Sequence, residues 1–114
     1  MNLLLATVLL LISAVAVGFY LVFLGLRRHK RSPGLALTHA ALALSGIIVL
    51  FTEIFVGPTD KINNVAALFL FFAIVGGGMV FALHEENRPP SMAAVTAHAI
   101  MGLVGISLLI FNLF

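Results

Sequence analysis

Four apolar runs divided by three short polar breaks constrain this chain more than any other feature it has. The runs cover roughly residues 2–26, 35–55, 65–83 and 92–114, and "RRHKRSPG", "VGPTDKINN" and "HEENRPPS" lie between them. Each run is about 20 residues or more, enough to cross about 30 Å of hydrocarbon at about 1.5 Å per residue. Lipid offers backbone groups no hydrogen bonds, so such runs must close their own as helices. The links are short, which makes successive helices antiparallel. Pro33, Pro58, Pro89 and Pro90 all fall in the links, where helices stop and start. The expected fold is an all-α membrane protein of four transmembrane helices in an up-down bundle, occupying residues 1–114 as one domain.

Composition excludes most alternatives. The chain is 62% hydrophobic and 9% charged, and a soluble chain of this size has no interior able to hide so much apolar surface. There is no cysteine, which removes disulfides, thiolate metal sites and thiol redox chemistry. No phosphate loop, nucleophile elbow or HExxH pattern is present. A carrier or subunit role therefore fits better than a stand-alone catalyst. The first run lacks the basic start and short apolar core of a signal peptide and reads as the first span. The sequence pI near 9.7 does not point to nucleic acid, because four of the six basic residues sit together in "RRHKR" beside an apolar run. Positive charge in that position sets membrane orientation. Links one and three carry Arg27, Arg28, Lys30, Arg31 and Arg88, whereas link two carries only Lys61. The expectation is links one and three in the cytoplasm and both termini outside, which in a bacterial inner membrane is the periplasm.

The second and fourth runs repeat each other. From His39 the sequence reads HAALALSGIIVLF and from His98 it reads HAIMGLVGISLLI, with six identities in thirteen at an offset of 59 residues. The links before them, "RSPG" and "RPPS", match loosely. The expected unit is a two-helix hairpin present twice, as residues 1–56 and 62–114, related by a pseudo-twofold axis along the membrane normal. His39 and His98 would then face each other across the bundle at similar depth. Gly46 and Gly105 follow them by seven residues, within about 20° of the same helix face. Gly102 lies one turn after His98, with Ala43 in the matching place. We expect a groove of small residues beneath each imidazole, although such residues also serve plain helix packing. Ionisable groups inside a span are functional candidates. His29 and His84, at the ends of runs one and three, read more simply as headgroup contacts.

Two facing imidazoles suit a haem held by a histidine on each side. The groove would give flat space, and Arg31 and Arg88, with Arg27 and Arg28, stand at the end where propionates would need partners. With both axial positions filled, the task would be electron transfer, with His84 or His29 as less favoured ligands. A histidine near the start of a membrane helix followed by small residues, "HAxxxLxGI", resembles the small four-helix b-type cytochromes of bacterial membranes and is similar to the haem-anchoring subunits of respiratory enzymes. That resemblance covers runs two and four. It implies haem b on His39 and His98 and exchange of electrons with a quinone or a membrane redox partner.

Other uses stand beside this one. Zinc or copper could take two to four of the histidines. A structural or assembly subunit without cofactor could pack through Gly76, Gly77 and Gly78, and a homodimer would thicken a thin bundle. Glu53 is the one acid within a run, about 21 Å along the helix from His39, and Asn112 occupies the equivalent place in the second copy. The pair suggests a proton or cation site. Small four-helix cation transporters have about this length, but their acid lies in the first helix, where this chain has none.

Overall fold

A computed structural model describes residues 2–114; Met1, the first residue of the expected repeat, lies outside the described residues. Four helices follow one another, α1 (Leu3–Arg28), α2 (Pro33–Val56), α3 (Lys61–Leu83) and α4 (Met92–Leu113). Each contains an 18-residue window of mean hydropathy 2.0 or more. The bundle is 47 Å long and 24 by 20 Å across. It is an all-α bundle of four helices long and apolar enough to cross a membrane, the form of a multi-pass integral membrane protein.

Side chains define where the helices begin. Asn2 accepts from the backbone N–H of Leu4 at 2.7 Å, and Asp60 from Ile62 at 2.8 Å and Asn63 at 3.2 Å. The Ser32 and Ser91 hydroxyls each accept a backbone N–H three residues on, at 3.4 Å. A capping oxygen satisfies N–H groups that the first turn leaves without partners. Asp60 also explains the one displaced boundary. The third helix starts at Lys61, four residues before the apolar run, because a capped first turn tolerates the polar "KINN". α1 ends on His29 in the left-handed region at φ 50°.

α1 packs chiefly on α2 and α3 chiefly on α4, with far less contact between the two hairpins. α2 and α4 are diagonal, as are α1 and α3. The hairpins meet at the end where α1 and α3 begin, through Leu4, Val8, Leu11, Ile47, Leu50, Leu70, Ile106 and Leu109. Leu11 and Leu70, Ile47 and Ile106, and Leu50 and Leu109 are each separated by 59 residues. The repeat thus reaches the packing. A Cβ on Gly46 would sit 2.9 Å from Leu11 Cδ2, and one on Gly105 would sit 2.8 Å from Leu70 Cγ. Each glycine admits a leucine of the other helix in its own hairpin. Toward the opposite end a cavity opens between the hairpins.

Candidate functional site

The histidines are held by the helix that precedes their own. His39 Nδ1 lies 2.6 Å from the carbonyl oxygen of Ala14, and His98 Nδ1 lies 2.6 Å from that of Ala73. A carbonyl only accepts, so in both rings Nδ1 carries the proton and donates it. In the neutral imidazole the lone pair is then on Nε2. Glycine one turn on makes each carbonyl reachable. A Cβ on Gly18 would lie 3.0 Å from His39 Cε1, and one on Gly77 would lie 2.9 Å from His98 Cε1. Ala14 with Gly18, and Ala73 with Gly77, form the same device at the same 59-residue offset.

The two imidazoles face each other across the diagonal. Their ring centroids are 5.9 Å apart and their planes meet at 79°. Around them, between the hairpins, lies an elongated cavity of about 670 Å³. Its floor is Leu11, Ile47, Leu70 and Ile106, and small residues, among them Gly18, Ala43, Gly77 and Gly102, line its walls. The volume falls within the range of about 300–1,000 Å³ typical of small-molecule and cofactor sites. The mouth departs from the twofold pattern. On one side buried Pro90 packs against Gly25. At the equivalent position of the other side stands Arg31, its guanidinium carbon 3.9 Å above the Phe81 ring. Arg31, Lys30 and His84 all line the cavity.

Several expected members take different places. Gly46 and Gly105 do not open a groove, because Leu11 and Leu70 occupy the space against them. Gly102 does face open room, its nearest neighbour being Ala73 Cβ at 3.9 Å. Arg88 does not line the cavity; it is exposed and pairs with Glu85 at 3.4 Å. His84 Nε2 lies 2.8 Å from the Arg88 carbonyl, and His29 is an exposed helix cap. Among the described residues no three histidine, aspartate or glutamate side chains gather as a metal site. Zinc or copper on three or four of the histidines is therefore not supported: His84 at the cavity mouth bonds to the Arg88 carbonyl and His29 is exposed, which leaves His39 and His98 as the one close pair.

Asn112 and Glu53 also part company. The Asn112 amide donates both its protons, to Asp60 Oδ2 and Asn63 Oδ1, each at 2.8 Å. This ties the end of α4 to the start of α3. The Asn112 amide, and then the backbone N–H groups of Asn63 and Ile62, hold the Asp60 carboxyl below its ordinary value of 3.8. Glu53 stands apart at the last turn of α2, its carboxylate beside Gly57. Of the three glycines considered as a partner-packing face, Gly76 and Gly77 lie against His98, while Gly78 is open. The sequence matches no protein-family model, no curated protein and no solved structure.

Proposed function

We propose that this chain is an integral membrane b-type haem protein that carries electrons, with His39 and His98 as the two axial ligands. The observation that carries the reading is the facing imidazole pair with both Nδ1 atoms engaged by backbone carbonyls. The two rings stand 5.9 Å apart, centroid to centroid, and would hold the iron of a haem between them. A carbonyl on the far nitrogen orients a ligating ring and raises its basicity, so each hairpin presents a lone pair ready for use.

The rest of the cavity suits the same group. Small residues leave space beside the imidazoles, above a floor of leucine and isoleucine. Arg31 at the mouth would meet a carboxylate of a haem. Arg31 retains this expected role; Arg88 does not. A bound haem supplies a one-electron redox couple, and with histidine on both sides the iron has no open position for substrate. The chain's own work is then to hold, orient and shield. The electrons would pass to and from a quinone or a redox partner in the membrane. Charge in links one and three favours the cavity mouth on the cytoplasmic side of a bacterial inner membrane.

Absorption spectra of the protein in mild detergent, oxidised and then reduced with dithionite, test this. The parent should give a Soret band and an α-band that sharpen and shift on reduction, and His39→Ala and His98→Ala should each abolish that bis-histidine signature. A colourless protein after expression with ample haem would overturn the reading.

A further inference from the structure

A second pocket opens where α1 gives way to the first link, and it shares Lys30, Arg31, Ser32 and Pro33 with the rim of the histidine cavity. It encloses about 490 Å³, and its walls include Tyr20, Phe23, Arg28, Lys30, Arg31 and Ser32. The two halves differ in character. The lower half is aromatic: Tyr20 and Phe23 stack at 6.2 Å, and both are about half exposed on the face that α1 turns away from the bundle. The upper half is cationic, formed by Arg28, Lys30 and Arg31 with the capped start of α2 beside them. Arg28, in the last turn of α1, offsets the negative end of that helix; Lys30 and Arg31 lie beyond it and have no such task.

These cations lack anions. Among the described residues the one ion pair is Arg88 with Glu85, in the third link. Arg31 Nε is buried without a hydrogen-bond partner, which is costly for a charged donor. We propose that this pocket holds the headgroup phosphate of an anionic membrane lipid. Phosphate answers the charges of Arg28 and Lys30, with Arg31 beside them. The aromatic half, continuous with the lipid-facing surface of α1, answers the glycerol and the start of the acyl chains, which a free phosphate ion lacks. Lys30 and Arg31 border both pockets, whereas Tyr20, Phe23 and Arg28 line this one alone.

The chain carries its own reporter. Tyr20 is the only tyrosine and there is no tryptophan, so tyrosine emission reports on this pocket alone. We would titrate the protein in a neutral detergent with short-chain phosphatidylglycerol, with phosphatidylcholine and inorganic phosphate in parallel. The expected result is a saturable change in emission with phosphatidylglycerol and none with the other two. Arg28→Gln/Lys30→Gln should weaken binding about tenfold or more. The charge-preserving pair Arg28→Lys/Lys30→Arg should stay near the parent, which separates loss of charge from loss of fold. Arg27→Gln/Lys61→Gln removes the same charge outside the pocket and should shift the titration less than about twofold. Equal weakening in both glutamine pairs would overturn the site in favour of diffuse attraction. No saturable response in the parent would overturn it too, and an equal response to inorganic phosphate would overturn the lipid as its source.

Discussion

Two pairs of glycines in this bundle are told apart by the side chains that the neighbouring helix sets against them. Gly46 and Gly105 meet leucines, whereas Gly18 and Gly77 meet imidazoles. Substitutions should therefore separate stability from site geometry. Gly46→Leu forces a side chain into Leu11 and should destabilise the protein by about 1–3 kcal/mol, with the absorption spectrum of the remaining folded protein unchanged. Gly18→Val should do the reverse. The added methyls push the His39 ring off the Ala14 carbonyl, so thermal stability moves little while the proposed bis-histidine spectrum is lost. Melting curves and reduced-minus-oxidised spectra on both variants make the comparison. An unaltered spectrum in Gly18→Val would show that the Ala14 contact does not position the ring.

The four helices were legible from hydropathy alone, since lipid leaves an apolar run of that length no other regular form. The pairing of His39 with His98 was legible from the repeat. What stands opposite each helix face was not. Gly46 does share a face with His39, and that face meets α1 rather than a ligand. A period of 3.6 residues says which side chains align but not which neighbour they align against. A signal for Gly18 and Gly77 did exist: at the same offset Leu9, Leu11, Ala14 and Gly18 match Leu68, Leu70, Ala73 and Gly77, so the repeat extends through α1 and α3. The cap on α3 carries a further consequence. Hydrogen bonds to the Asp60 carboxylate lower its pKa on folding, so its contribution to stability is present above 3.8 and is lost as pH falls through the lower folded value. Melting temperature measured from pH 6 to pH 3 should fall at the acid end for the parent. In Asn112→Leu, which lacks the largest cause of the shift, that acid limb should be shallower.

The whole molecule is two hairpins, each of which completes its own half of the histidine site. His39 bonds to Ala14 and His98 to Ala73 within one hairpin, across the same 25 residues in both. The hairpins then touch mainly through the apolar core at one end. Cutting the chain in link two should leave both halves able to reassemble. Residues 1–58 and 59–114, co-expressed, should co-purify and recover the proposed absorption spectrum, and either half alone should give none. Failure to co-purify would mean that link two is needed to hold the hairpins together.

The repeat has one further effect. A flat guest seated between His39 and His98 would meet related residues after a half-turn, Leu11 for Leu70, Gly18 for Gly77 and Ile47 for Ile106, so nearest the imidazoles the cavity distinguishes little between two seats. The choice is made at the rim, where Pro90 rests on Gly25 on one side and Arg31 lies over Phe81 on the other. There the two copies have diverged, and an ambiguous berth becomes one with a front and a back.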